Sequence, residues 1–311
     1  MTSSPTRDRL NSTSDQNHKR LPPWLRVKFN NNQAFREVDQ LMQTEGLHTV
    51  CQEALCPNRG ECWGDGTATF LLLGDVCTRA CKFCDVKHGR PEALDWDEPD
   101  RVTHSVQLMK LEHAVITSVN RDERRDGGAP IYAMLIRRIR ELHQSCSVEV
   151  LIPDFIGSLE ALKIVMDAGP DILNHNLETV PQLFKSVQPQ SSYQVSRDTL
   201  INAKKLEPDA LTKSGLMVGL GENLEQIKET IHDIRRWDVD ILTIGQYLQP
   251  SKQHLPVDRF YTPDEFEDLR KFSLDLGFKW VESAPLVRSS YHAADQARAL
   301  SKTYQSRKKR G

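Results

Sequence analysis

Short apolar runs alternate with amphipathic stretches from residue 67 onward. An apolar run bounded by polar or turn-forming residues is typical of a buried strand, whereas apolar positions three and four residues apart are typical of a helix. The pattern predicts six strands, each followed by a helix. The strand sequences are "ATFLLLG", "HAVITSV", "VEVLIPD", "DILNHNLE", "SGLMVGL" and "DILTIGQYL".

Helix boundary signals support this alternation. Ser158 is placed to cap one helix, Asn223 and Gln226 can form a capping box at the start of another, and Thr262 precedes a third. No glycine-rich dinucleotide turn follows the first strand. The pattern therefore predicts an α/β fold, an incomplete (βα)6 TIM-type barrel with N- and C-terminal extensions, and a doubly wound open sheet is the competing architecture.

The polar and apolar pattern also divides the chain. Residues 1–20 are polar and predicted to be disordered, and residues 21–66 form an N-terminal extension. Within that extension we expect a segment laid on the body through Trp24 and Leu25, a helix over residues 32–43 and a metal-ordered loop over residues 49–66. The barrel is predicted over residues 67–285. Residues 286–311 form a C-terminal segment that ends in a basic tail, "SRKKRG".

Composition narrows the class of protein. Charged residues make up 27% of the chain but the net charge is only −2, which gives no general attraction to nucleic acid or to an anionic membrane. No apolar run approaches the roughly 20 residues of a membrane span. The first twenty residues lack the apolar core of a secretory signal, so we expect a cytoplasmic protein whose cysteines are thiols or metal ligands.

Six of the seven cysteines lie between positions 51 and 84. Cys77, Cys81 and Cys84 follow the first predicted strand directly, so they lie at the end of the barrel where active sites gather. Three thiolates are one ligand short of a structural zinc site, for which His88 is the nearest fourth candidate. A 4Fe–4S cluster held by three cysteines would instead leave one iron open. Cys146 stands apart and is interpreted as a buried core residue.

The first triplet resembles the signature of the radical S-adenosylmethionine enzymes. Its spacing is Cys-x3-Cys-x2-Cys, and Phe83 is the aromatic residue before the last cysteine. The resemblance implies that the open iron binds S-adenosylmethionine and that reductive cleavage gives a 5′-deoxyadenosyl radical. In such enzymes the cofactor performs the difficult chemistry, while the protein positions it and excludes water.

A second triplet makes the resemblance more specific. Cys51, Cys56 and Cys62 have the spacing Cys-x4-Cys-x5-Cys, which by itself also suits zinc. Read as one run with the first triplet, residues 51–86 resemble the lipoyl synthases. Further matching stretches extend the resemblance over residues 21–297: "LPPWLRVK", "VLIPDFIG", "NHNLETV", "KSGLMVGLGE", "TIGQYLQPS" and "PLVRSSYHA".

This resemblance implies a reaction and its cofactors. Two 4Fe–4S clusters and S-adenosylmethionine insert sulfur at carbons 6 and 8 of an octanoyl group, which is attached to a lysine of a lipoyl carrier domain or protein. The auxiliary cluster, held in the N-terminal extension, is the sacrificial sulfur source. A reductant such as ferredoxin or flavodoxin supplies electrons. The family default is a monomer with neither a nucleic-acid nor a membrane partner.

The resemblance also assigns a fourth protein ligand to the auxiliary cluster. This ligand is Ser290, the second serine of "RSSY". The C-terminal segment would then close on the auxiliary cluster. The alternative for these serines is an N-cap of the following helix, which Ser289 would fill equally well.

The contacts to S-adenosylmethionine are predicted from strand ends. Thr117 and Ser118 end the second strand, and Asn176 and Glu178 follow the fourth. The alternative for the latter pair is a buried polar link between strands. Arg197 is a candidate for the methionine carboxylate, with a surface ion pair as its alternative.

One loop departs from the family pattern. "NRDERRDGGA" has Glu123 and Arg124 where the family has aspartate and leucine, which leaves open how this loop meets the substrate. A biotin synthase-like enzyme, a tRNA methylthiotransferase and a non-catalytic metal-binding adaptor remain the competing functions. A methylthiotransferase usually carries an additional RNA-binding domain, for which this chain has no room.

Overall fold

The computed structural model describes residues 21–27 and 31–308, with side chains up to residue 300. Residues 1–20, predicted to be disordered, and the last three residues of the predicted basic tail lie outside the described residues. Within the described ranges no helix is long and apolar enough to cross a membrane.

The fold is built on an eight-stranded sheet whose strands follow one another in chain order. Seven strands are parallel, and the first pairs antiparallel with the second. The strands are β1 (His48–Thr49), β2 (Thr69–Leu72), β3 (His113–Ser118), β4 (Ser147–Leu151), β5 (Ile172–Asn174), β6 (Leu211–Val218), β7 (Ile241–Gln246) and β8 (Trp280–Ser283).

Helices lie before, between and after the parallel strands along the chain. They are α1 (Gln33–Glu45), α2 (Val50–Glu53), α3 (Arg59–Gly64), α4 (Glu98–Leu108), α5 (Ala129–Leu142), α6 (Leu159–Met166), α7 (Phe184–Val187), α8 (Tyr193–Leu206), α9 (Leu224–Arg236), α10 (Pro263–Asp275) and α11 (Ala293–Lys308). Three short 3-10 turns lie at Pro23–Leu25, Phe155–Gly157 and Pro181–Leu183.

The predicted barrel architecture is confirmed. Each of the six predicted strands is present as one of β2 to β7, and each is followed by a helix before the next strand. The predicted caps are also present: Ser158 accepts a hydrogen bond from the Ala161 amide, and capping boxes form at Asn223 and at Thr262. The prediction missed β8, which has only four residues and alternates half-buried with buried positions.

The predicted loop over residues 49–66 is wrong in its secondary structure. It contains α2 and α3, which are too short to leave a periodic signal. Thr49 caps α2 by accepting a hydrogen bond from the Gln52 amide. Trp63 is fully buried and packs on Phe35, with ring centroids 5.2 Å apart. This packing ties α3 to α1 and fixes the segment that carries the second cysteine triplet.

Ionisable side chains from three strands meet inside the barrel, which shows how strongly the sheet curves. Lys213 on β6 lies 3.0 Å from Glu149 on β4, and His113 on β3 lies 3.5 Å from the same carboxylate. All three residues are buried. A flat sheet would hold β3 and β6 well apart, because neighbouring strands are about 4.8 Å from each other.

The C-terminal helix α11 packs across the amino ends of the strands. Ala297 shares a buried cluster with Ile172, Leu211 and Ile241, which are the first residues of β5, β6 and β7. The chain that leads from β8 to α11 crosses the carboxyl end of β7, where a Cβ atom added to Gly245 would lie 2.0 Å from the Val287 carbonyl oxygen. Only glycine lets these two backbones approach so closely.

Candidate active site

A cavity of about 650 Å³ lies at the carboxyl ends of the parallel strands. The strand ends contribute Ser118, Leu151 and Met217 to its wall. Both cysteine triplets and the C-terminal segment complete the lining, namely Cys51, Cys56, Cys62, Cys77, Cys81, Cys84, Ser289 and Ser290. The two cysteine triplets and the C-terminal segment, which is far from them in the sequence, therefore meet around one cavity.

The first triplet follows β2 on a loop that is held by backbone hydrogen bonds. The Cys77 amide donates to the Lys87 carbonyl at 2.8 Å, and the Lys82 amide donates to the Val187 carbonyl at 2.9 Å. The Cys77 sulfur accepts from the amides of Arg79 and Asn120 at 3.4 and 3.3 Å. Amide donors of this kind stabilise a thiolate and tune the iron–sulfur group that it binds.

The thiols of each triplet lie close enough to interact electrostatically. Burial, followed by the charges of Cys84 and Cys77, raises the pKa of the Cys81 thiol to about 12. Burial, followed by the charges of Cys51 and Cys56, raises the pKa of the Cys62 thiol to about 12. With such a raised pKa, the Cys81 and Cys62 thiols are protonated at neutral pH, and iron binding would displace these two protons.

The donor set fits a cluster better than a single metal ion. Among the described residues, no group of three or more His, Cys, Asp or Glu side chains converges closely enough to hold one ion. Thiolates that bind a cubane are bonded to different iron atoms, so they stand further apart than the ligands of one zinc ion. His88, the alternative zinc ligand, is exposed and does not line the cavity.

The second triplet is joined to the C-terminal segment by two hydrogen bonds. The buried Asn58 side chain donates to the Leu286 carbonyl at 2.7 Å, and the Tyr291 hydroxyl donates to the Glu61 carboxylate at 2.9 Å. These contacts bring Ser290 to the wall that carries Cys51, Cys56 and Cys62.

Neither Ser289 nor Ser290 stands where a residue that caps the N-terminus of α11 would stand. Helix α11 begins at Ala293, and His292 precedes it. Neither Ser289 nor Ser290 therefore occupies the N-cap position. The backbone of Ser290 still contributes to the turn, because its carbonyl accepts from the Ala293 amide at 3.3 Å.

Arg79 is a site residue that the sequence analysis missed. It lies between the first two cysteines of the first triplet, and its buried guanidinium donates two hydrogen bonds to Asp122 and two to Asp154. It also donates to the Ser191 hydroxyl at 3.2 Å. Its place inside the cysteine motif was the only available signal, since its carboxylate partners come from loops after other strands.

The predicted contacts at the strand ends line the cavity. Thr117 and Ser118 do so while their hydroxyls donate to the carbonyls of Leu151 and Val119. Phe83 lines the same cavity. Each hydroxyl donates its one hydrogen to a backbone carbonyl, so its oxygen can still accept a hydrogen bond from a ligand.

Asn176 and Glu178 form a pair at the cavity wall. The Asn176 amide donates to the Glu178 carboxylate at 3.0 Å, and the Asn176 carbonyl oxygen is buried without a partner within the described residues. Burial raises the pKa of the Glu178 carboxyl to about 7, and Asn176 and the charge of Arg288 only partly oppose it. The Asn176 oxygen is a buried acceptor that lacks a donor, and the Glu178 carboxyl has a pKa near neutral pH. Both features fit a cationic hydrogen-bond donor such as the methionine amine.

Arg197 and the loop that departs from the family pattern lie elsewhere. Arg197 is half-exposed on α8, pairs with the adjacent Asp198 and does not line the cavity. In the loop after β3, Glu123 pairs with Arg121 and Arg124 pairs with Asp126. Neither substituted residue lines the cavity.

Comparison with known proteins agrees with this site. The family model described as "Radical SAM superfamily" matches residues 71–234. Methylornithine synthase has a similar fold, with a TM-score of 0.52 and 13% identity over 68% of this chain and 69% of that chain. Streptococcus suis SuiB bound to S-adenosylmethionine has a TM-score of 0.55 and 11% identity over 81% of this chain and 62% of that chain. The barrel and its cysteine loop are thus those of a radical S-adenosylmethionine protein, which binds that cofactor and a 4Fe–4S cluster.

Closer relatives define the family. Lipoyl synthase of Rubrobacter xylanophilus is 56% identical over 275 residues, which cover 88% of this chain and 86% of the relative. Lipoyl synthase of Staphylococcus haemolyticus is 51% identical, covering 94% and 95% of the two chains. That of Geobacillus kaustophilus is 52% identical, covering 93% and 98%. The chain belongs to the lipoyl synthase family, whose members are enzymes that use two 4Fe–4S clusters.

Proposed function

We propose that this enzyme inserts sulfur at carbons 6 and 8 of an octanoyl group held in amide linkage on a lysine of a carrier protein. The observation that carries the proposal is the convergence of two cysteine triplets on one cavity. A substrate chain between them can be within reach of both a hydrogen-abstracting centre and a sulfur source. Carbons 6 and 8 have no neighbouring group that makes them acidic or electrophilic, so acid–base chemistry alone cannot activate them.

In this proposal the two sites have separate roles. Cys77, Cys81 and Cys84 hold the cluster that binds S-adenosylmethionine. The auxiliary cluster is held by four other residues that line the same cavity, Cys51, Cys56, Cys62 and Ser290. When bound, the first cluster with S-adenosylmethionine supplies a 5′-deoxyadenosyl radical, and the auxiliary cluster supplies sulfur.

The protein residues hold and orient these groups. Thr117, Ser118, Asn176 and Glu178 offer oxygen atoms for the polar parts of S-adenosylmethionine, and Phe83 offers an apolar surface. Arg197 remains a candidate for the methionine carboxylate only if α8 rearranges on binding, because it now pairs with Asp198 outside the cavity.

The cellular setting follows from the same chemistry. Two clusters built on six free cysteines require a reducing compartment, which supports the cytoplasm. A one-electron donor such as ferredoxin or flavodoxin would reduce the clusters. An octanoylated lipoyl carrier domain is the proposed partner, and a monomer is the proposed state.

Two triple variants test the proposal. Replacing Cys77, Cys81 and Cys84 by alanine should abolish 5′-deoxyadenosine formation. Replacing Cys51, Cys56 and Cys62 should leave 5′-deoxyadenosine formation intact but give no sulfur on an octanoyl-lysyl peptide, as measured by mass spectrometry. Cys146→Ala is the matched control, because this buried cysteine does not line the cavity. Lipoyl product from the second triple variant would exclude the role of the auxiliary cluster as sulfur source.

A further inference from the structure

Gln296 connects the interior of the barrel to the loop that carries Ser290. It lies in the first turn of α11 and is fully buried. Its side-chain oxygen accepts a hydrogen bond from the Lys213 ammonium at 2.8 Å. Its side-chain amide donates to the Tyr291 carbonyl at 3.1 Å. One side chain therefore spans from a strand to the residue that follows Ser290.

The Lys213 end of this connection is fixed. Lys213 is fully buried on β6 and pairs with Glu149 at 3.0 Å. Glu149 is itself buried, within 3.5 Å of the His113 ring and bonded to the Asn174 side chain at 3.1 Å. Separating Lys213 from Glu149 would leave each charge buried without its partner, which is strongly unfavourable. The two side chains therefore stay paired.

The other end of the connection is a strained turn. The Tyr291 amide donates to the Arg288 carbonyl at 2.9 Å, and the Ala293 amide donates to the Ser290 carbonyl at 3.3 Å. His292 has a φ of 54°, a conformation that costs energy for a residue other than glycine. A strained turn of this kind persists only when neighbouring groups stabilise it. Gln296 does so by donating a hydrogen bond to the Tyr291 carbonyl.

We propose that Gln296 is a positioning residue for the auxiliary cluster. By bonding Lys213 and the Tyr291 carbonyl at once, it fixes the height and direction of Ser290 relative to Cys51, Cys56 and Cys62. This inference rests on the proposed role of Ser290 as a cluster ligand. An alkoxide binds the irons of a thiolate-held cluster less well than a fourth thiolate would, so its bond depends on how well the backbone presents it.

The test uses Gln296→Met, which keeps the side-chain length and removes both hydrogen bonds, and Gln296→Asn, which is too short to span both partners. In the metal-free protein, amide hydrogen exchange over residues 288–293 should become about fivefold faster, as expected for the loss of about one hydrogen bond. In the loaded protein, the Mössbauer signal of the auxiliary cluster should change. 5′-Deoxyadenosine formation should stay at the wild-type rate while sulfur insertion falls at least fivefold.

Leu300→Ala is the matched control. Leu300 packs α11 on the same amino ends of the strands but is not bonded to the turn. This variant should lower the stability of α11 without changing the spectrum of the auxiliary cluster. If it changes the spectrum as Gln296→Met does, the role of Gln296 is merely structural and the inference is overturned.

Ser290→Ala separates the inference from the function on which it rests. If Ser290→Ala leaves the Mössbauer signal unchanged, the serine is not a ligand and the proposed cluster site is wrong. If Ser290→Ala changes the signal but both Gln296 variants keep it, the ligand assignment stands and the positioning role of Gln296 is overturned.

Discussion

At Arg79, one guanidinium holds together the loops that follow three neighbouring strands. Asp122 follows β3, Asp154 follows β4 and Ser191 follows β5, and all three accept hydrogen bonds from Arg79. The planar fork of arginine makes this possible, because it donates in two directions at fixed angles, which lysine does not. Contacts within the protein therefore tie the cysteine loop to the loops at the strand ends.

Ser290→Cys tests the proposed role of Ser290 as the fourth protein ligand of the auxiliary cluster. Thiolate is the softer ligand, so the variant should keep its full iron content. Sulfur insertion should fall at least tenfold, because the proposed source must lose a ligand as it is dismantled. Iron analysis and mass spectrometry of the octanoyl-lysyl peptide measure the two effects.

Ser289→Cys is the control for the Ser290 substitution. It adds the same thiol one residue earlier on the same cavity wall. We expect it to retain most of the sulfur insertion. Equal losses in the two variants would mean that an extra thiol in the cavity is harmful by itself, and the ligand argument would fail.

At the scale of elements, the C-terminal segment depends on close contact with β7. Gly245 lies under the Val287 carbonyl, so β7 and residues 284–292 touch through their backbones. The same segment then turns into α11, which covers the amino ends of β5 to β7. This route brings residues 288–290 to the wall of the cavity that both cysteine triplets line.

Gly245→Ala tests this contact. The new methyl group would lie 2.0 Å from the Val287 carbonyl oxygen, so the C-terminal segment must move. We expect the auxiliary cluster to be lost or altered while the cluster of the first triplet remains, as seen by electron paramagnetic resonance. Gly215→Ala on β6 is the comparison variant: its methyl group would meet side-chain atoms of Thr243 and Asn176, so it should disturb the proposed cofactor contacts and leave the auxiliary cluster unchanged. An unchanged auxiliary cluster in Gly245→Ala would show that the contact is not required.

The ion pair between β4 and β6 makes a second prediction at this scale. Lys213→Met leaves the Glu149 carboxylate buried without its cation and should lower the free energy of unfolding by about 3 to 5 kcal/mol. Adding Glu149→Gln should restore much of that loss, because no unpaired charge then remains and the amide can still bond Asn174. Chemical denaturation of the metal-free protein measures both variants. Losses that simply add in the double variant would contradict this account.

At the scale of the whole molecule, an open barrel brings three separate segments of the chain to one cavity. Residues 51–62 lie on the N-terminal extension, residues 77–84 follow β2 and residues 288–290 follow β8. The extension reaches the site because β1 pairs with β2 and Trp63 packs on α1. A substrate chain in this cavity would be flanked by protein from all three segments, which would limit the access of water to the reacting carbons.

Iron content tests the two-site arrangement of the whole chain. After reconstitution without oxygen, the protein should hold roughly eight irons, two cubane clusters per chain. Each triple cysteine variant should hold roughly half of that amount, while Cys146→Ala should keep all of it. Iron and sulfide analysis measures the content. A chain that stays near four irons in the wild type would contradict two clusters.

Local patterns in the sequence determined much of this fold. Six strands, the caps at Ser158, Asn223 and Thr262 and the barrel class all follow from short-range signals, because hydrophobic period and capping act within a few residues. The cysteine spacings are local as well. The first triplet indicates a 4Fe–4S cluster with an open iron, whereas the second by itself also suits zinc and was assigned by the family resemblance. The short helices α2 and α3 and the edge strand β8 gave too few residues for such a signal.

Tertiary structure alone decided which side chains meet. Arg79 and Lys213 read as ordinary basic residues in the sequence, yet each is buried against carboxylates from other loops or strands. The link from Lys213 through Gln296 to Tyr291 spans about a quarter of the chain and leaves no periodic trace. The reason is physical, because a buried charge is stable only beside a partner. Sheet curvature supplies that partner for Lys213 and neighbouring loops supply it for Arg79, and no local stretch of sequence encodes either.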